Sequence, residues 1–154
     1  KPILEVARRR TWRMYRRVRR EGFAITPDSP ATDLHELRKS CKKLRYLMEF
    51  FQALFPAAEL RKLTRELKSL QDNLGDFNDL EIQQAALEEA AGQLVERGEA
   101  PHETLVTLGR LVQSLSERQR LERERFAACF VEFHAPENVE RAVRLFGPRA
   151  EPRT

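Results

Sequence analysis

The sequence has few residues suited to covalent chemistry or self-crosslinking. Only two cysteines, Cys41 and Cys129, occur in 154 residues. Both sit in helical patterns, outside any C-x-x-C pair or cysteine–histidine cluster, and read as small buried side chains rather than as a disulfide or metal ligands. No apolar run approaches the roughly 18 to 20 residues that span a bilayer, and the N-terminus lacks the charged-then-apolar layout of a signal peptide, so a cytoplasmic location away from membranes is expected. A nucleophile with its base, paired carboxylates and a phosphate-cradling glycine loop are all missing, which predicts a protein that is not an enzyme. Ser40, for example, has charged neighbours but no evident base. No metal and no cofactor are expected. Leu70–Asp79 gathers amides and carboxylates around Gly75, but without the alternating oxygen order of a calcium loop and within a helical stripe. Nothing in the chain alternates with the period of a strand.

What the chain does have is helical periodicity. Leu4, Ala7, Met14 and Val18, with Thr11 filling the gap, draw an amphipathic helix over Pro2–Glu21. Gly22–Thr32, with Pro27 and Pro30, reads as a loop, and Thr32 or Asp33 can cap a second helix. That helix is expected over about Asp33–Phe55, striped by Leu34, Leu37, Cys41, Leu44, Met48, Phe51 and Phe55. A third starts after Pro56 on Leu60, Leu63, Leu67, Leu70, Leu74 and Phe77, with Gly75 as a weak point or kink, and ends near Gly98. The fourth runs from His102 to Phe133, offering Leu105, Leu108, Leu111, Leu115, Leu121, Phe126 and Phe130 to the core. A short helix over Glu137–Phe146 closes the chain. The fold class predicted is all-α: an antiparallel four-helix bundle with a short extra C-terminal helix, one domain over 1–148 and a tail over 149–154.

Charge is segregated along this framework. Residues 1–68 hold 18 basic and 8 acidic side chains, whereas residues 69–154 hold 10 basic and 16 acidic. The first half therefore calls for an anionic partner. Beside the apolar stripe of the second helix, His35, Arg38, Lys39, Lys42, Arg45 and Tyr46 recur at three- and four-residue steps. Successive cations are then roughly 5 to 6 Å apart, close enough for a run of phosphates to bridge. The first helix adds Arg9, Arg13, Arg16, Arg17 and Arg20, and the third adds Arg61, Lys62, Arg65 and Lys68. A charge run on a helix is commonly just a solvated face; here it recurs on three helices with few acids placed to neutralise it. Arginine's donor fork suits phosphate oxygens, and a histidine heading the strip can donate too. His102 and His134 have no such setting and read as incidental. Asp72 and Asp79 are expected to pair with basic residues of a neighbouring helix, and Gln71 or Asn78 to bond backbone at a kink.

The run His35-Glu36-Leu37-Arg38-Lys39-Ser40-Cys41-Lys42-Lys43-Leu44-Arg45-Tyr46, followed by Leu70-Gln71-Asp72-Asn73-Leu74-Gly75-Asp76-Phe77-Asn78-Asp79-Leu80, resembles the CHAD family, the conserved-histidine α-helical domains. The resemblance implies a helical bundle that binds inorganic polyphosphate, sometimes beside a triphosphate-processing CYTH domain and sometimes at polyphosphate granules. Carried over by position, the ligands would be His35, Arg38, Lys42 and Arg45, with Tyr46 beside them. A complete CHAD domain comprises two related four-helix halves, and this chain resembles the C-terminal one. The histidine motif occurs once in these 154 residues, so the expectation is either an upstream half or a single bundle that forms a homodimer to rebuild the groove. The other function the basic helices permit is nucleic-acid binding. The second-helix strip argues against it, with one tyrosine and no aromatic platform or recognition-helix layout.

Overall fold

The computed structural model describes residues 2–149. Five α-helices follow one another: α1 (Pro2–Ala24), α2 (Ala31–Phe50), α3 (Ala57–Glu96), α4 (His102–Phe133) and α5 (Pro136–Phe146), with one 3-10 turn at Gln52–Leu54. Among the described residues there is no strand, and the fold is the all-α bundle expected. Of the tail over 149–154, all but Arg149 lies outside the described residues. No described helix is long and apolar enough to cross a membrane.

α2 packs between α1 and α3, α5 closes over α1 and α3, and α4 runs back along α3. The stripe of α2 is buried as its spacing dictates: Leu34, Leu37, Cys41, Leu44 and Met48 are each at most 1% exposed. It shares one core with Leu60, Leu63, Leu67, Leu70 and Leu74 of α3, and with Phe133 of α4 and Leu145 and Phe146 of α5. On α1 the inward face is Ala7, Thr11, Tyr15, Val18 and Gly22, with Met14 half-buried. Tyr15 is therefore a core residue that the spacing argument passed over. Burial pushes its phenol up to about 12.

Several local expectations are corrected. Gly22 lies inside α1, not in the connecting loop, and its lack of a side chain makes room for the Phe130 ring of α4. Neither Thr32 nor Asp33 caps α2. The helix opens at Ala31 behind extended Pro30, and the turn before it is organised by Ser29, whose Oγ accepts the Thr26 N–H at 2.8 Å. Asp33 falls in the first turn, where its charge suits the helix dipole. α2 stops at Phe50, and Phe51 and Phe55 reach the core from the 3-10 connection instead. α3 runs through Gly75 as one helix of 40 residues, without an end there. Its stop is Gly98, at φ +68°, a left-handed conformation that glycine adopts freely.

The largest difference concerns α4. Between Leu80 and Phe126 no residue is buried. The end of α3 and the first two-thirds of α4 leave the bundle as a two-helix arm. Its seam of Gln84, Leu87 and Leu94 against Leu105, Leu108 and Leu115 is only half-buried, and Gln84 donates across it to Gln119 at 2.8 Å. Leu111 and Leu121, expected in the core, are 48% and 49% exposed, and Ile82 is 59% exposed. A stripe buries its residues only where a third element covers the pair, and among the described residues none does.

Candidate functional site

The three- and four-residue spacing of His35, Arg38, Lys42 and Arg45 places them along the flank of α2 that turns toward α3, where all four are half-buried. Lys39 and Tyr46 lie further round the helix, fully at the surface, Tyr46 being 56% exposed. The floor of the strip is the Leu70–Leu80 segment of α3. Gln71 Oε1 accepts from Arg45 Nη1 at 3.5 Å. Gly75 leaves its backbone open beneath Arg38, whose Nε would be 3.9 Å from a Cβ at that position. Phe77 sets its ring 6.2 Å from the His35 imidazole. His35 Nε2 is hydrogen-bonded to Glu81, a partner not anticipated from the sequence because it stands 46 residues away on α3.

The charges along the strip are unequally satisfied. Arg45 Nε donates to Glu49 at 2.8 Å and Lys39 to Glu36 at 3.0 Å. Among the described residues, Arg38 and Lys42 have no hydrogen-bond or ion-pair partner. Two half-buried cations side by side without counter-charges are costly to hold in isolation, and an anion laid along the strip relieves both.

The polar segment beneath also holds the arm. Asn73, 5% exposed, donates from Nδ2 to the Glu122 backbone carbonyl at 2.8 Å and to its carboxylate at 3.0 Å. The expected ion pairs of Asp72 and Asp79 do not form among the described residues. Instead these two carboxylates flank Asp76, whose pKa is raised by desolvation and by Glu122, Asp72 and Asp79. The helix continues through Gly75, and Gln71 bonds the Arg45 side chain and not freed backbone. Ser40 is buried with its hydroxyl donating to Glu21 at 2.8 Å, which ties α2 to α1.

The remaining basic residues are not all brought to this strip. Lys68 is exposed and lies two turns before Gly75, on the same side of α3, with Arg61 two turns further back. Lys62 and Arg65 lie round the helix instead, lining a concavity toward α4 and α5 with Glu66, Glu132, Glu137 and Arg141. On α1, Arg17 is paired with Glu21 at 2.8 Å on the side facing α2. Arg9, Arg13, Arg16 and Arg20 form a face of their own, with Trp12 and Phe23. No group of three or more histidine, cysteine or carboxylate side chains suited to a metal ion occurs among the described residues.

The fold and site together define an all-α bundle that displays a cationic strip supported by a polar segment of the neighbouring helix. A family model for the CHAD domain matches residues 1–88, which cover α1, α2 and α3 as far as Glu88. That is more than half of the chain, which therefore belongs to the CHAD domain family, whose members bind polyphosphate-related substrates. No curated protein matches it.

Proposed function

We propose that the α2–α3 strip binds inorganic polyphosphate, without catalysing its turnover. The observation that carries this reading is the pair Arg38 and Lys42, half-buried and unneutralised on one line with His35 and Arg45. A linear polyanion can engage all four through charge-assisted contacts, with Lys39, Tyr46, Arg61 and Lys68 at its margins, and longer chains gain further contacts by multivalency. Arg38 offers a fork of donors and Lys42 a mobile point charge, so the strip tolerates an irregular, flexible chain better than a fixed small molecule. The α1 arginines widen the positive field that draws the chain in. Presentation of the bound polymer to an associated hydrolase, such as a CYTH domain, would use the same contacts.

Replacing Arg38, Lys42 and Arg45 together by alanine tests the reading. These side chains lie off the apolar stripe, so helicity measured by circular dichroism stays unchanged. Polyphosphate affinity falls at least about a hundredfold, since three charge-assisted contacts are lost. In the parent chain, affinity falls steeply with added salt, and excess duplex DNA fails to displace the polymer. Undiminished binding by the triple variant, or equal displacement by DNA, overturns the proposal.

A further inference from the structure

The outward face of α1 differs in kind from the α2–α3 strip. Arg9, Arg13, Arg16 and Arg20 are exposed along it, and the shallow depression they line contains no aliphatic and no acidic side chain, only arginines and the two aromatic residues Trp12 and Phe23. Among the described residues these four arginines have no hydrogen-bond or ion-pair partner. To one side of the face is the seam between α1 and α2, where Glu21 is taken by Ser40 and by Arg17, itself at the edge of the depression, and Glu36 by Lys39; Glu5, one turn before Arg9, does not line the depression. That seam separates the face from the strip.

The aromatic groups are held, not loose. Trp12 is half-buried and stacks on Tyr15 at a centroid distance of 5.7 Å and an interplanar angle of 26°. Phe23 is 57% exposed, yet its ring is braced edge-on by Phe130 at 5.1 Å and His134 at 4.8 Å. The Arg19 guanidinium sits over it, 5.6 Å from the ring centre. Eleven residues separate Trp12 from Phe23, about 16 Å along the helix axis, with Arg13, Arg16 and Arg20 between.

A linear phosphate chain has no use for aromatic stations, whereas a polymer alternating phosphates with planar bases does. Stacking on aromatic rings and on arginine planes, with the backbone neutralised between them, is how single strands are held without regard to sequence. A membrane surface fits less well: a helix that lies in the interface needs a broad apolar face, and that of α1 (Ala7, Thr11, Tyr15, Val18) is turned into the core. We propose that the α1 face is a second site, for single-stranded nucleic acid, distinct from the polyphosphate strip and independent of it.

Trp12 is the sole tryptophan, so the site carries its own reporter. Titrating the full chain with an oligothymidylate or oligoadenylate of about ten nucleotides should quench Trp12 emission saturably, because a base stacks on the indole. Polyphosphate, lacking any π face, should leave the emission unquenched. The Arg38, Lys42, Arg45 triple-alanine variant should retain oligonucleotide quenching, which separates failure of this site from failure of the strip. Measured by anisotropy of a labelled oligonucleotide, Phe23→Leu, which keeps apolar packing on Phe130, should weaken binding by about tenfold, as loss of one stacked base does. Arg13→Ala with Arg16→Ala should lower the salt slope by about 1.4, two single-strand phosphate contacts being lost. The proposal is overturned if oligonucleotides bind without quenching, if the α2 triple variant abolishes their binding, or if only vesicles rich in acidic phospholipid shift the emission.

Discussion

The base of the bundle and the arm are built from similar amphipathic helices, and one helix, α3, belongs to both. In the base, α3 is covered by α2 and α5 as well as by the end of α4, and Leu63, Leu67 and Leu70 are fully buried. In the arm it meets α4 alone, and its seam residues stay half exposed. Charge divides along the same line: residues 2–24 carry eight arginines and two glutamates, whereas residues 81–118 carry seven acidic and three basic side chains. Apolar periodicity therefore establishes that a helix has a face, while burial, and with it local stability, depends on how many neighbours that face has.

Truncating one leucine in each region tests this dependence on neighbours most directly. Leu44→Ala, at a position 0% exposed, should lower global stability by about 3 kcal/mol, the usual cost of a buried leucine including its cavity. It would appear as a fall in the denaturant midpoint. Leu108→Ala, at the half-buried seam, should cost less than about 1 kcal/mol and appear as faster amide exchange within the arm, with the global midpoint nearly unmoved. Equal losses at the two positions would show that the arm unfolds with the base as one unit.

Tyr15 sharpens the contrast from the base side, because nothing in the arm is so deeply buried. Its hydroxyl has no hydrogen-bond partner among the described residues, and its pKa is raised by burial from 10.0 to about 12. A raised folded-state pKa favours the neutral phenol in the fold. Its contribution is therefore fully present below pH 10 and is lost as pH rises from about 10 to 12. A change of that size corresponds to roughly 2 to 3 kcal/mol. Tyr15→Phe should thus be neutral or slightly stabilising at pH 7, since an unsatisfied polar atom is removed, and should retain more stability than the parent when melts are compared above pH 10. A Tyr15→Phe protein that melts lower than the parent at pH 7 would mean the hydroxyl has a bonding partner after all.

Much of this architecture was legible in the sequence, for physical reasons that also mark where legibility stops. The three/four spacing of α2 fixed both its buried stripe and the flank on which His35, Arg38, Lys42 and Arg45 lie, since both properties are internal to one helix. Partners across helices were not legible: Glu81 on His35, Asn73 on Glu122 and Phe130 over Gly22 join residues 46, 49 and 108 positions apart. Leu111 and Leu121 were misplaced for the same reason, because periodicity does not count the elements packed against a stripe. The α1 arginines repeat the charge pattern of the α2 strip along the sequence, but the seam at Glu21 and Ser40 sets them on a face of their own.

Gly75 connects the two regions and tests the smallest effect. A glycine within a long helix costs about 1 kcal/mol relative to alanine, a cost tolerated here without interrupting the helix. Its surroundings explain what the glycine provides: the nearest side-chain atom is Arg38 Nε, 3.9 Å from where a Cβ would stand. One methyl group fits there at ordinary van der Waals contact, so Gly75→Ala should raise stability by up to about 1 kcal/mol while leaving polyphosphate affinity as it is. Gly75→Leu should show the same helix preference, but its branched side chain needs the space Arg38 occupies and should push the guanidinium off the strip. Binding would then weaken while stability holds, a divergence that thermal melts and polyphosphate titrations on the two variants would reveal. If both variants bind like the parent, Arg38 takes its position without help from the helix beneath it, and the open backbone at Gly75 serves the fold alone.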